Sequence, residues 1–189
     1  AAVGIASGAW GSGRLSKRNI EFGTMPGGAF LLALSTLALG LLSHGRHPVA
    51  VPALIYLAGV GAGLFVVPLD TFLQLRLPAD RRGEGLALNS FLSWSGILLS
   101  GALMLLFHTC GVDAQSGFLL FALPAMMLAL VSFFTLKDFA FRFCVTVLVK
   151  LFYQVRTIGL EHLPVSGSAL LIANHASYMD AVLLCATTR

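Results

Sequence analysis

The chain has 189 residues, of which 57% are hydrophobic and 11% charged, with a formal net charge of +4. Because a water-soluble domain carries about 25% charged residues, this composition excludes water as the solvent for most of the chain. The chain opens on the apolar stretch AAVGIASGAW, without a methionine or a basic region before it. We therefore expect a piece of a longer membrane protein, cut at both ends, rather than a signal peptide.

Four apolar stretches are long enough to cross the hydrocarbon core of a bilayer, which takes about 17–25 helical residues. They run from Gly27 to Ser43, Val49 to Leu69, Leu86 to Phe107 and Phe118 to Leu136, and residues 1–11 resemble the end of a fifth helix. Small residues let helices approach closely in lipid, so glycines in these spans predict tight packing. The glycines concerned are Gly59, Gly61, Gly63, Gly96 and Gly101.

The connections between the spans alternate in charge. SGRLSKRNIEFG and QLRLPADRRGEG each carry three lysines or arginines, whereas SHGRHP carries one and HTCGVDAQSG carries none. Basic residues favour the cytoplasmic side of a membrane. We therefore predict that the two basic loops and the chain after Leu136 are cytoplasmic, and that the other two loops face outward.

Asp70 is the only acidic residue inside or bordering a predicted span. Acids within a membrane are costly and are often functional, which makes Asp70 a candidate for a role in transport. Alternatively, Asp70 interacts with lipid headgroups or with Arg76 at the predicted cytoplasmic end of its span. Glu84 lies in a basic loop and is expected to pair with a neighbouring cation.

The three cysteines give no sign of a metal site or of a disulfide framework. Cys110, Cys144 and Cys185 are far apart, and their number is odd. We expect them to be small, buried, apolar residues, and we predict no metal site.

Residues 137–155 begin with the apolar segment KDFAFRFCVTVLVKLFY, which Arg142 and Lys150 interrupt. Its uninterrupted apolar run is too short to span a bilayer. We predict an amphipathic helix that lies in the cytoplasmic interface, with its cations near anionic headgroups. The alternative is a tether packed on the next domain.

The pattern changes after Val155. Residues 169–173 form a short apolar run typical of a buried parallel strand, and residues 177–185 indicate the start of a helix. A strand, a turn and a helix in this order predict the truncated start of an α/β domain.

His175 and Asp180 are candidate catalytic residues at this strand-turn-helix. With His175 in the turn, Ser177 as N-cap and Asp180 in the first helical turn, the carboxylate can orient the imidazole. The other imidazole nitrogen can then act as a general base toward an alcohol. The alternative is purely structural, because Ser-x-x-Asp is also a capping box and an acid is favoured in a first turn.

The sequence GLEHLPVSGSALLIANHASYMDAVLL resembles the start of the phospholipid/glycerol acyltransferase family. Asn174, His175, Ser177 and Asp180 match its first motif, Asn-His-x-Ser-x-x-Asp. The resemblance implies that His175 activates the acceptor hydroxyl and that Asp180 orients His175. It also implies an acyl thioester of coenzyme A or of acyl carrier protein as donor, with no bound cofactor.

Residues 1–136 resemble the C-terminal part of a major facilitator transporter. Gly13, Leu15 and Arg18 fit the Gly-x-Leu-x-Asp-Arg loop of that family, although Lys17 stands where an aspartate is expected. A transporter followed by an acyltransferase resembles the bacterial lysophospholipid transporters that are fused to a 2-acylglycerophosphoethanolamine acyltransferase.

Together these features predict an all-α polytopic membrane domain (residues 1–136), an interfacial linker (137–155) and the truncated start of an α/β acyltransferase domain (156–189). The resemblance implies a protein of the bacterial inner membrane that moves lysophospholipid inward and re-acylates it on the cytoplasmic side. Expected partners are membrane lipids, the lysophospholipid acceptor and acyl carrier protein, but not nucleic acid. Two alternatives stay open: a transporter with a non-catalytic tail, and an acyltransferase whose helices serve only as an anchor.

Overall fold

A computed structural model of the chain describes residues 1–16, 21–42, 49–155, 158, 172, 174 and 177–187. All of the regular structure in these residues is helical. The helices are α1 (Ala2–Leu15), α2 (Thr24–Leu41), α3 (Ala50–Arg76), α4 (Arg82–Thr109), α5 (Ala114–Thr135), α6 (Lys137–Phe152) and α7 (Asp180–Thr187). The predicted strand at 169–173 lies outside the described residues except for Ile172, which is in no regular element.

Four of the helices, α2 to α5, are long and apolar enough to cross a membrane. Each overlaps one predicted span, and α1 corresponds to the predicted fifth helix, so the prediction of a helical membrane domain is confirmed. α3 has 27 residues and α4 has 28. At about 1.5 Å per residue both helices are about 40 Å long, which exceeds the hydrocarbon thickness of about 30 Å.

Helix α3 packs against α1 through glycines that lie on one face of α3. A side-chain carbon at Gly59 would come within 2.5 Å of the Ala1 carbonyl oxygen. A side-chain carbon at Gly63 would collide with the Ile5 carbonyl oxygen. Because residues four apart share a helix face, the two glycines form one continuous contact surface.

The matching face of α1 carries Gly4, Gly8 and Ser12, again at four-residue spacing, and all three are buried. A side-chain carbon at Gly4 would collide with the carbonyl oxygen of Tyr56, and one at Gly8 with that of Val60. Small residues thus face small residues, and the two backbones come into direct contact. Such interfaces are typical of helices that associate in lipid.

Gly61 lies between these glycines in the sequence but faces α2 instead. Residues two apart are separated by about 200° around a helix, which places Gly61 on the opposite face from Gly59 and Gly63. A side-chain carbon at Gly61 would be 2.6 Å from the Gly28 carbonyl oxygen, and one at Gly28 would be 2.7 Å from that of Gly61. A five-residue segment of α3 therefore serves two interfaces.

On its other side α2 packs against α5. Ala29 and Ala33 from α2 meet Ala129 from α5, and all three side chains are fully buried. Small side chains again allow close contact in this part of the bundle.

Helix α4 buries none of its residues. It contacts α3 over a small area. Many of its large apolar side chains are exposed, including Leu98 at 74% and Trp94 at 67%. A side-chain carbon at Gly96 or Gly101 would meet nothing within 4 Å. The prediction that these two glycines mark close helix packing is therefore wrong in this structure.

The predicted burial of the cysteines is also wrong where the structure describes them. Cys110, which follows α4, and Cys144 in α6 are both exposed thiols. For Cys110 the reason is its position, since it directly follows α4, which buries none of its residues.

The chain divides into two compact units, residues 1–140 and 141–189. α6 begins in the first unit and ends in the second. The role of residues 137–155 as an amphipathic linker in the membrane interface stays a prediction. In the first unit, the Phe22 ring lies 5.4 Å from Phe72 and 5.5 Å from Phe139. These edge-to-face contacts join the start of α6 to α3 and to the residues before α2.

Candidate functional site

The side chains of Ser177 and Asp180 each accept a hydrogen bond from a backbone N–H group at the start of α7. The Ser177 N–H donates to Asp180 Oδ2 at 2.8 Å, and the Met179 N–H donates to Ser177 Oγ at 3.2 Å. The Asp180 N–H also donates to the Ser177 carbonyl oxygen at 3.0 Å. Ser177 is thus the N-cap, and Asp180 completes a capping box.

This local geometry turns the Asp180 carboxylate back toward the turn that precedes α7. The position is favourable for a negative charge, because the first N–H groups of a helix make its N-terminus positive. Asn174 and Ser177 are exposed and Asp180 is partly buried. His175 lies outside the described residues, and its hydrogen bond to Asp180 stays a prediction.

Asp70 has a partner that the sequence analysis did not identify. The Asn89 side-chain amide donates to Asp70 Oδ1 at 3.2 Å, and both residues are partly buried. This bond links α3 to α4. The Arg76 guanidinium lies 5.5 Å from the centroid of the Phe72 ring, and it forms no ion pair with Asp70 or any other described residue. One signal could have indicated Asn89: it is the only amide side chain within the predicted spans.

The loop between α3 and α4 is mostly exposed; it contains Arg81 and is flanked by Arg76 and Arg82. Arg81 Nε lies 4.0 Å from the Asp80 carboxylate, and such exposed pairs contribute little to stability. Among the described residues, Glu84 forms no ion pair with a neighbouring cation, contrary to the prediction. The predicted cytoplasmic side of this loop stays a prediction.

A cavity of about 400 Å³ lies between the end of α4 and the start of α5. Phe107 and Phe121 form part of its wall, with ring centroids 5.8 Å apart. His108 and Asp113 are its polar groups. This site was not predicted from the sequence, where the available signal was an acid in a loop without lysine or arginine, flanked by phenylalanines.

The hydroxyl of Ser116, followed by backbone groups of the same turn, lowers the pKa of the Asp113 carboxyl below its ordinary value. Asp113 makes no side-chain hydrogen bond of regular capping geometry to α5.

Within the described part of the chain, no group of three or more His, Cys, Asp or Glu residues could hold a metal ion. Comparison of the chain with protein-family models, with curated proteins and with solved structures gave no match. Function is therefore inferred from the residues of this chain and their geometry.

Proposed function

We propose that the protein is a membrane-bound acyltransferase that re-acylates a lysophospholipid and is fused to a lysophospholipid transporter of the bacterial inner membrane. The observation that carries the proposal is the Asp180 carboxylate, which accepts a hydrogen bond from Ser177, the last residue of the Asn-His-x-Ser sequence. An acid held in this position is what a histidine in that turn needs as an orienting partner.

In the proposed reaction, His175 removes the proton from a glycerol hydroxyl of the acceptor as the hydroxyl oxygen attacks the thioester carbonyl carbon. The carbon–sulfur bond of the donor breaks and an ester bond forms. The departing thiolate takes up the proton from His175. Asp180 holds the imidazole in one orientation and stabilises its protonated form, which makes it a positioning residue.

The four membrane-crossing helices support a substrate that resides in the bilayer. A lysophospholipid delivered by a transporter would meet the attached acyltransferase at the leaflet where it arrives. Asp70 is the candidate residue for the transport step, because acids at the ends of or within spans commonly serve ion or substrate pathways. Its link to Asn89 between α3 and α4 suits a residue that responds to relative movement of two helices.

A second candidate function is a transporter with a non-catalytic tail. The capping box favours this alternative, because a hydrogen bond from the Ser177 N–H to Asp180 and one from the Met179 N–H to Ser177 also have a purely structural explanation at the start of a helix. The two candidates make different predictions for single variants of the full-length protein.

The decisive experiment measures acyl-transfer turnover per folded molecule for His175→Ala in the full-length protein. General base catalysis contributes about 10²–10⁴-fold, so turnover should fall by that factor. His162→Ala is the matched control, since it removes a nearby histidine outside the motif, and it should leave turnover nearly unchanged. If His175→Ala keeps more than about a tenth of wild-type turnover, the assignment of His175 as general base is wrong.

Ser177→Ala separates orientation from helix stability. It removes the N-cap at a cost of about 1 kcal/mol but keeps both His175 and Asp180. Asp180→Asn should lower turnover far more than Ser177→Ala does. Equal, small losses for both variants would instead support the capping interpretation and the non-catalytic tail.

A further inference from the structure

The cavity between α4 and α5 combines an aromatic wall with one carboxylate. Phe107, Phe118 and Phe121 line it, and Asp113 lies at its polar end beside His108. Its volume of about 400 Å³ falls within the range of about 300–1,000 Å³ that is typical of small-molecule sites. Apart from Asp113 and His108, its lining is apolar or glycine.

The negative charge of Asp113 favours a ligand with a cationic group at this end of the cavity. Asp113 is exposed, and its carboxylate is ionised at neutral pH, as an aspartate with an ordinary or lowered pKa is. The connection from His108 to Gly117 contains no lysine or arginine that could neutralise it. An ammonium group next to a carboxylate and phenylalanine faces gains both ionic and cation–π attraction.

The cavity continues along α5 over an apolar surface. A neighbouring cavity of about 650 Å³ shares Val112 with it, and a third, of about 520 Å³, shares Leu123 and Met126 with the second. The third reaches Thr135, the last residue of α5. The three cavities thus follow α5 from its start to its end, and their mainly apolar lining suits a hydrocarbon chain.

The α5 side of the cavity is held to the rest of the bundle. The Gln115 side-chain amide donates to the Leu42 carbonyl oxygen at 2.6 Å, which ties the start of α5 to the end of α2. The site therefore has one fixed wall on α5 and one wall on α4, the helix that buries none of its residues.

We propose that this cavity binds a single-chain phospholipid with an ammonium headgroup, its ammonium beside Asp113 and its acyl chain along α5. The inference rests on the proposed function in taking a lysophospholipid as the ligand, and it adds the place where the headgroup is held. The predicted topology puts Asp113 at the outward face, where an imported lipid would first be bound.

The test uses the protein in nanodiscs of phosphatidylglycerol, which offers no ammonium group. The probe is lysophosphatidylethanolamine with a photoreactive group in its acyl chain, and cross-linked residues are identified by mass spectrometry. Cross-links should concentrate between residues 104 and 126. Unlabelled lysophosphatidylethanolamine should compete about tenfold better than lysophosphatidylglycerol, which corresponds to one favourable charge interaction.

Asp113→Asn should weaken binding of the ethanolamine probe about tenfold and abolish the preference for it. Asparagine is as good an N-cap as aspartate, so the variant keeps α5 intact. Asp80→Asn, in the loop between α3 and α4, is the matched control and should bind like the wild type. Phe121→Leu should weaken binding several-fold, whereas Phe91→Leu, at an exposed position of α4 outside the three cavities, should not.

Equal competition by the two lysolipids, an unchanged Asp113→Asn variant, or cross-links spread evenly over all the spans would overturn the inference. These results are independent of acyl transfer, because the binding assay contains no acyl donor. Loss of acyl transfer with binding intact would contradict the proposed enzyme alone. Acyl transfer without selective cross-linking would contradict this site alone.

Discussion

Helices α3 and α4 are alike in length and composition but differ in what they bury. They have 27 and 28 residues, with mean hydropathies of 2.1 and 1.8 over their most apolar windows. α3 buries Gly59, Gly61, Gly63 and Pro68, whereas α4 buries no residue. Apolar composition therefore determines that both helices suit a membrane, but not which helix packs against others.

The difference in packing between α3 and α4 follows from the spacing of their glycines and from the residues of other helices that lie opposite those glycines. In lipid there is no hydrophobic drive to bring two helices together, so close backbone contact must supply the attraction. Gly59 and Gly63 share a face and meet glycines on α1. Gly96 and Gly101 are five residues apart and point about 140° away from each other, so they form no continuous surface.

The largest expected effect on stability comes from replacing a glycine of α3 and a glycine of α4 by leucine and comparing the two variants. Gly63→Leu should lower the free energy of unfolding by about 3 kcal/mol, because its side chain must push apart the backbones of α1 and α3. Gly101→Leu should leave it unchanged or raise it by up to about 1 kcal/mol, because leucine has the better helix propensity. Both values can be measured by denaturant titration in mixed micelles. Similar losses for the two variants would mean that α4 is covered after all.

A smaller effect is expected at the hydrogen bond that joins α3 to α4. A double-mutant cycle of Asp70→Ala and Asn89→Ala should give a coupling energy of about 0.6 kcal/mol, the average for polar contacts between membrane helices. Ser93→Ala, one turn further along α4, is the control and should show no coupling to Asp70. A coupling above about 2 kcal/mol would show that α4 is held far more firmly than its lack of buried residues indicates.

The smallest effect concerns the turn between the uncovered α4 and the packed α5. The Ser116 hydroxyl lowers the pKa of Asp113 in the folded protein, so the ionised carboxylate favours the folded state. This stabilisation is fully present above the unfolded pKa of about 3.8 and is lost as the pH falls through the lower folded pKa. Unfolding followed from about pH 5 to about pH 3 should therefore show a slightly steeper acid loss in the wild type than in Asp113→Asn. Identical slopes would exclude this contribution.

The sequence by itself determined the features that depend on local energies. Transfer of apolar side chains into lipid depends on composition, so the four spans and the helical segment after Leu136 could be located. The capping box at Ser177 and Asp180 also depends on residues three apart. The acyltransferase function and the role of His175 rest on the same short motif and stay predictions.

Only the tertiary structure decided which of these helices touch and which side chains meet. In the structure the glycines of α3 lie in close helix contacts, whereas Gly96 and Gly101 of α4 do not. Asp70 also has a hydrogen-bond partner in α4, the side-chain amide of Asn89. The tertiary structure also formed the aromatic cavity around Asp113 from two helices and their connection. The physical reason is that such contacts depend on surfaces supplied jointly by separate helices, whereas composition and periodicity describe each helix alone.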